Sequence, residues 1–179
     1  TNVASVEEQV QPYIEQIAQL DADIARLDEQ AAAYEARIVQ LQPDYSAVDT
    51  LKDQIAAIEE SIVVTTNKLQ SRERDKIREG QAVIGVTSDG LFGNNTRRAL
   101  EAWVTAQQDR IASLQAQETE LRAQAQNVIA QERDRLTGLI TSLRGDQTEA
   151  VQERKQGLLD TIDRIRADAA SSLQTQRNN

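Results

Sequence analysis

Residues 6–41 read VEEQVQPYIEQIAQLDADIARLDEQAAAYEARIVQL, and this stretch decides the fold class. Apolar side chains return every three or four residues along it without a miss, which is the spacing of a coiled-coil face on an α-helix. Pro12 lies inside the pattern, and proline suits only the first turn of a helix, so we expect the regular helix to begin near Gln11. The apolar positions are Val6, Val10, Tyr13, Ile17, Leu20, Ile24, Leu27, Ala31, Tyr34, Ile38 and Leu41.

A second apolar seam follows a break at residues 42–45, where Pro43 ends the first run and Asp44 or Ser46 can cap the next helix. Two runs joined by a short break predict an antiparallel helical hairpin over residues 1–76. The acidic start of the first run would then face the basic end of the second. The second seam consists of Val48, Leu51, Ile55, Ile58, Ile62, Thr65 and Leu69, and the expected charge partners are Glu7, Glu8 and Glu15 with Arg72, Lys76 and Arg78.

The same periodicity continues over residues 105–179 and predicts a long helical stalk. Gly145 and Asp146 can end one helix and cap another, which favours a hairpin turn at 145–146, although one very long helix is also compatible with the pattern. The seam positions after residue 96 are Leu100, Val104, Ile111, Leu114, Leu121, Val128, Ile129, Leu136, Ile140 and Leu143, and then Val151, Leu158, Ile162, Ile165, Ala169 and Leu173.

The composition supports an all-α fold of elongated antiparallel coiled-coil hairpins, since the 179 residues include only seven Gly and two Pro. A net charge of −9 disfavours binding to nucleic acid or to anionic membrane surfaces. The chain has no Cys and no His, so a Cys-His or Ser-His catalytic pair is excluded. We expect a non-enzymatic chain with no metal and no cofactor, which reaches a membrane only through segments outside it.

One turn-rich segment, residues 85–96, interrupts the helical pattern. Asp89-Gly90 favours a turn, Gly93 tolerates positive φ, and Asn94, Asn95 or Thr96 can cap the next helix. Leu91 and Phe92 lie between the turns and are expected to pack against a small core. The core faces are Ile77, Gln81 and Ile84 before the segment, and Ala99, Leu100 and Trp103 after it.

Residues 77–104 resemble the peptidoglycan-binding domain family of cell-wall hydrolases and other envelope proteins. The resemblance is carried by Ile77 to Val86, by the Asp-Gly-x-Phe-Gly of residues 89–93, and by Thr96-Arg97-Arg98-Ala99-Leu100 with Trp103. It covers about 28 of the 179 residues, and Asn94 replaces the proline that often follows the second glycine. The resemblance implies contacts to wall peptide stems from Asp89, Gly90, Phe92, Gly93, Asn94, Asn95, Thr96, Arg97, Arg98 and Trp103.

The same residues admit a purely structural interpretation, in which Asp89 and Thr96 turn and cap the chain while Phe92 and Trp103 fill a helical corner. Two functions follow. The first is an extracytoplasmic, periplasmic or wall-associated protein that binds peptidoglycan through this corner on a coiled-coil spacer. The alternative is a structural scaffold, tether or adaptor with no glycan binding. Narrow seams also predict self-association or partner helices, within one chain or between chains.

Overall fold

The computed structural model describes residues 3–178, and these residues contain no β-strand. The predicted all-α fold is confirmed. No helix within this range has the length and apolar character needed to cross a membrane. Helix α1 spans Val3–Gln40, α2 Ser46–Leu69, α3 Arg74–Ile84 and α4 Asn94–Ser142, a π-helical turn occupies Leu143–Gln147, and α5 spans Thr148–Asn178.

The apolar seams predicted from the sequence lie on the inner faces of the helices. Every member of the first two seams is buried or half-buried. In the later seams Val128 is the clearest exception, with 62% of its surface exposed, and Leu173 near the end of α5 is 39% exposed. Burial of these narrow stripes is what holds the helices in pairs, because exposed helix faces contribute little.

The chain divides into two compact units, and their boundaries differ from the predicted segments 1–76, 77–104 and 105–179. Unit 1 contains the described residues up to Leu41 and from Ala130 onward, and unit 2 contains Gln42–Ile129. The difference arises because α1 packs against the π turn and α5, whereas α2 packs against α3. The prediction that the first two helical runs pack against each other as a hairpin is therefore wrong.

Unit 1 is an antiparallel helix pair joined by ion pairs along its length. Residue numbers rise along α1 while they fall along its partner, which defines the antiparallel direction. Glu7 accordingly pairs with a cation of α5 and not, as predicted, with those near residues 72–78. The pairs are Glu7 with Arg166 at 3.2 Å, Asp21 with Lys155 at 2.8 Å, Asp28 with Arg144 at 3.2 Å, Glu35 with Arg144, and Arg37 with Glu132 at 3.9 Å.

The hairpin turn predicted at 145–146 does not form, because the backbone stays helical from α4 through the π turn into α5. Val151 comes eight positions after Leu143 in the seam, one more than the seven of a heptad. A π turn holds one extra residue per turn and so returns both side chains to the same face. The Thr148 hydroxyl, at the first residue of α5, donates a hydrogen bond of 2.6 Å to the Leu143 carbonyl across this turn.

The start of α1 also differs from the prediction, because Pro12 lies inside the helix and not in its first turn. Proline removes one helical N–H and leaves the carbonyl of Glu8 without its usual partner. Both Glu8 and Pro12 are exposed, so water can hydrate that carbonyl.

Unit 2 begins at the proline break, where the Asp44 carboxylate accepts hydrogen bonds from the Ser46 N–H at 3.0 Å and the Ser46 hydroxyl at 2.7 Å. These bonds lower the pKa of Asp44. Asp44 thus closes an Asx turn ahead of α2, whereas Tyr45 directly precedes the helix and no side chain caps it, so the predicted capping by Asp44 or Ser46 takes a different form. Further along, α2 and α3 approach closely at Gly80, where an added Cβ would lie 2.7 Å from the Cγ of Leu69.

Candidate functional site

Residues 85–93 connect α3 to α4 and form the corner of unit 2. Gly85 ends α3 with a φ of 80°, and Gly90 has a φ of 77°. Both values lie in the left-handed region that glycine adopts at low cost. The backbone carbonyl of Gln81 accepts hydrogen bonds from the Gly85 N–H at 3.0 Å and from the Val86 N–H at 3.1 Å, so the chain turns immediately after the helix.

The side chain of Gln81 is the centre of the corner and is fully buried. Its Nε2 lies 2.9 Å from the Asp89 Oδ1, 2.9 Å from the Leu91 carbonyl and 3.1 Å from the Thr96 Oγ1. Its Oε1 accepts a hydrogen bond of 2.9 Å from the Gly90 N–H. One amide side chain thereby joins α3, the connecting turn and the first turn of α4. We call this set of bonds the Gln81 network.

The orientation of the Gln81 amide follows from its neighbours. The Gly90 N–H can only donate, so the oxygen of the amide must face it. The other three neighbours are oxygens, which suit the NH2 group. Its two hydrogens are shared among three acceptors, and the Thr96 hydroxyl donates onward to the Leu91 carbonyl at 3.4 Å. Within the described residues, no buried side-chain nitrogen or oxygen lacks a hydrogen-bond partner.

Asp89 contributes a charged acceptor to the Gln81 network. Besides the amide of Gln81, its Oδ1 accepts a hydrogen bond of 2.9 Å from the Leu91 N–H, which closes an Asx turn. The hydrogen bond from Gln81 is the main cause that lowers the pKa of the Asp89 carboxyl, followed by the Leu91 N–H, with a smaller effect of the charge of Arg74. Asp89 therefore acts as an ionised acceptor that fixes the turn.

Gly90 lies against the first turns of α3. A Cβ added to it would lie 3.2 Å from the Arg74 carbonyl oxygen and 3.3 Å from the Arg78 Nε. This contact places two arginines beside the turn, and neither was among the predicted ligand-binding residues. Arg78 also forms an ion pair of 3.1 Å with Asp75.

The predicted capping of α4 by Asn94, Asn95 or Thr96 takes a different form. The helix begins at Asn94, and the Gly93 carbonyl accepts its first hydrogen bond, 3.0 Å from the Arg97 N–H. The Thr96 side chain, only 5% exposed, is bonded to Gln81 and Leu91 instead of capping the helix. The Asn94 side chain accepts a hydrogen bond of 2.9 Å from Arg97.

Leu91 and Phe92 point outward, contrary to the expectation that they pack in a core. Their exposed fractions are 53% and 42%. The turn that carries them is held from inside by polar bonds of Gln81 to its backbone, at the Gly90 N–H and the Leu91 carbonyl. Trp103, in contrast, is half-buried on α4 together with Ala99 and Leu100, as expected for the helical corner.

The predicted site residues thus fall into two groups, and only Trp103, which is half-buried on α4, belongs to neither. Asp89, Gly90 and Thr96 are engaged within the Gln81 network. Arg98 makes no hydrogen bond or ion pair with any other residue that the structure describes, and it faces solvent. The exposed group consists of Phe92, Gly93, Asn94, Asn95, Arg97 and Arg98.

The residues on either side of the corner are rich in basic side chains, although the chain as a whole is acidic. Residues 68–98 contain seven Lys and Arg and four Asp and Glu, for a net charge of +3, whereas the whole chain carries −9. Three of the cations have nearby acids, in the pairs Lys68 with Glu79, Lys76 with Glu73 and Arg78 with Asp75. The described residues contain no cluster of acidic side chains able to hold a metal ion. A local excess of positive charge favours anionic partners.

Comparisons of the chain with protein-family models, with curated proteins and with solved structures gave no match. The fold and the corner therefore define the class by themselves. The protein is an all-α protein of paired helices, in which the hydrogen bonds of Gln81 hold the turn between α3 and α4.

The sequence placed Gln81 on the core face of α3 but did not indicate its central role. The available signal was a single long polar side chain between Ile77 and Ile84 on an otherwise apolar face. Such a residue needs partners when it is buried, and the Asp-Gly turn eight residues later offers both a donor and an acceptor.

Proposed function

We propose that this protein is a non-enzymatic cell-envelope protein that binds peptidoglycan through the corner of unit 2, with its helices acting as a spacer. The observation that carries the proposal is the Gln81 network, which holds the Asp-Gly-x-Phe-Gly turn in one conformation and leaves Phe92 exposed beside the start of α4. A rigid turn loses little conformational entropy when it binds a ligand.

The contacts proposed for the ligand come from the outer surface of the corner. Arg98 faces solvent without a partner among the described residues, and Arg97 is bonded only to the neutral Asn94. Guanidinium groups bind carboxylates such as those of wall peptide stems, often through two hydrogen bonds. Phe92 supplies an exposed ring against which the apolar part of a stem or sugar can pack. Asp89 and Thr96 then serve the ligand indirectly, because they hold the turn.

The experiment is co-sedimentation of the purified chain with isolated cell-wall sacculi. We expect the wild type to sediment with sacculi and the variant Phe92→Ala/Arg97→Ala/Arg98→Ala to lose most of that binding. A matched control is Val128→Ala/Arg110→Ala/Arg133→Ala, which removes one exposed apolar side chain and two exposed arginines elsewhere on the helices. Absence of wild-type binding, or equal binding of the two triple variants, would refute the proposal.

A second candidate function is that of a structural scaffold or adaptor with no glycan binding. It is favoured by one specific observation, namely that Asp89, Gly90 and Thr96 all direct their polar groups inward to Gln81. Under this alternative the corner is a rigid bend between α3 and α4. Sacculi would then retain neither the wild type nor the variants, while all three proteins keep the same helix content.

A further inference from the structure

The helix pair of unit 1 carries an open groove along one side, which we call the α1–α5 groove. Two adjoining segments of about 380 and 480 Å³ form it, and Arg154 lines both. Because they share this residue, the segments lie on the same side of the pair. The residues used below are Leu20, Asp23 and Leu27 of α1, and Val151, Arg154 and Leu158 of α5.

The floor of the groove is apolar and only half covered. Leu20, Leu27, Val151 and Leu158 belong to the predicted seams, yet each is half-buried. Other members of the same seams are covered completely, as Val10 and Ala31 show with no exposed surface. The seam is therefore incompletely covered along the groove, and two further helices would cover it in a bundle of four.

Two opposite charges lie at nearly the same level on the two sides of the groove. The ion pair of 2.8 Å between Asp21 and Lys155 fixes the level of the helices. Arg154 therefore lies close to the level of Asp23, which comes two residues after Asp21. Asp23 is paired with Arg26 on its own helix, whereas Arg154 has no ion pair within the described residues.

This arrangement is complementary to itself. A two-fold axis parallel to the helices would lay α1 of one copy over α5 of another, at the same level and in opposite directions. Asp23 of each copy would then face Arg154 of the other, and the contact would form twice. Every helix would have antiparallel neighbours, as in a four-helix bundle.

We propose that the α1–α5 groove is the docking surface for a second copy of this chain, which completes an intermolecular four-helix bundle with two Asp23–Arg154 contacts. The inference is independent of the peptidoglycan proposal, since it concerns unit 1 alone. The charges favour a second copy over an unrelated helix. A carboxylate opposite Arg154 would satisfy only one side of the groove, whereas a second copy also places its own Arg154 opposite Asp23.

The test is sedimentation equilibrium of the full chain over the micromolar range. We expect the wild type to form dimers, and the variants Asp23→Arg and Arg154→Asp each to raise the dissociation constant by at least about tenfold, since each places like charges together. The double variant Asp23→Arg/Arg154→Asp exchanges the two charges and should dimerise again. An equimolar mixture of the two single variants should also associate, because both contacts then join opposite charges.

The matched controls are Glu29→Arg and Arg133→Asp, which make the same charge changes at exposed positions of unit 1 outside the groove lining. They should dimerise like the wild type. Circular dichroism checks the helix content of each variant. If a single variant unfolds, the dimerisation of the double variant Asp23→Arg/Arg154→Asp tests the proposal instead. A monomeric wild type, single variants that dimerise normally, or a mixture no stronger than its components would each overturn the proposal.

Discussion

Gln81 and Gly90 are joined by a hydrogen bond of 2.9 Å from the Gly90 N–H to the Gln81 Oε1, across nine residues of sequence. This bond fixes which end of the amide faces the turn, and it thereby directs the NH2 group to Asp89, Leu91 and Thr96. The conformation of the corner thus depends on one buried side chain.

Replacing Gln81 by Leu should destabilise the corner. The new side chain has a similar size but leaves the buried Gly90 N–H without its partner, and Asp89 and Thr96 lose their bonds to Gln81. An unpaired buried group costs about 1–3 kcal/mol, and we expect a loss of that order in the free energy of unfolding. Chemical denaturation followed by circular dichroism measures this loss, and hydrogen exchange at the Gly90 and Leu91 amides locates it.

Gln124→Leu provides the comparison for this prediction. Gln124 is exposed and bonds only Glu120 on its own helix, at 3.1 Å. Its replacement should change the free energy of unfolding by less than about 0.5 kcal/mol. If Gln81→Leu and Gln124→Leu were equally stable and protected Gly90 equally from exchange, the central role of Gln81 would be wrong.

Two glycines should respond in opposite directions when they are replaced by alanine. Gly90 has a φ of 77°, and an added Cβ would lie 3.2 Å from the Arg74 carbonyl, so Gly90→Ala should cost about 1–2 kcal/mol or more. Gly138 lies within α4 with nothing within 4 Å of the added Cβ, and alanine should stabilise it by up to about 1 kcal/mol. Thermal unfolding should show a lower melting temperature for Gly90→Ala and a higher one for Gly138→Ala. Changes of the same sign in both variants would contradict this prediction.

Acid should weaken the corner through Asp89. Its carboxyl has a pKa below the ordinary 3.8, mainly because of the hydrogen bond from Gln81. The ionised carboxylate therefore stabilises the folded corner above about pH 3.8, and this stabilisation is lost as the pH falls through the lowered pKa. Asp89→Asn removes the titrating carboxyl. It should therefore flatten the pH dependence of the protection of the Gly90 amide from hydrogen exchange.

Asp109→Asn, at an exposed position on α4, serves as the reference and should retain the wild-type pH dependence at the corner. NMR titration from about pH 2 to 5 measures both variants. An Asp89→Asn protein with an unchanged pH dependence at Gly90 would show that Asp89 does not set it.

The helices could be predicted from the sequence because a seam is a local pattern. All members of the first two seams are buried or half-buried. The partner of α1 could not be predicted, since acids such as Glu7 face cations equally well near Arg72 and at Arg166. The periodicity of a seam does not distinguish between two candidate partner helices that have the same period. The long helix α1 makes continuous contact only with a partner of comparable length.

The site was predictable in its turns but not in its centre. Asp89-Gly90 and Gly93 mark the turn by local propensity, and local propensity is visible in a sequence. The role of Gln81 depends on three-dimensional proximity to Thr96, fifteen residues later. The exposure of Phe92 was also missed, because an apolar residue between turns was assumed to have a core beneath it.

Removing the charge of Arg144 should have a small effect that depends on salt. Arg144 joins Asp28 and Glu35 of α1 to the π turn, and its side chain is 41% exposed. Exposed ion pairs contribute less than about 1 kcal/mol each, and salt near 1 M screens them beyond about 3 Å. Arg144→Gln should therefore lower the melting temperature at low salt and match the wild type at high salt.

Arg133→Gln, at an exposed cation with no ion pair in the described part of the chain, should leave the melting temperature unchanged at both salt concentrations. A loss in Arg144→Gln that persisted at high salt would indicate that its packing, and not its charge, supports the helix pair.

Deleting one residue from the π turn should be tolerated, whereas the same deletion in α5 should not. Removing Asp146 shortens the interval from Leu143 to Val151 from eight residues to seven, which an ordinary α-helix carries on one face. Removing Asp163 instead rotates Ile165 and Ala169 by about 100° away from α1. Thermal unfolding should show a melting temperature near that of the wild type without Asp146 and a clear decrease without Asp163. Equal decreases in melting temperature would mean that the π turn does more than keep the seam on one face, because the restored heptad spacing would not compensate for its removal.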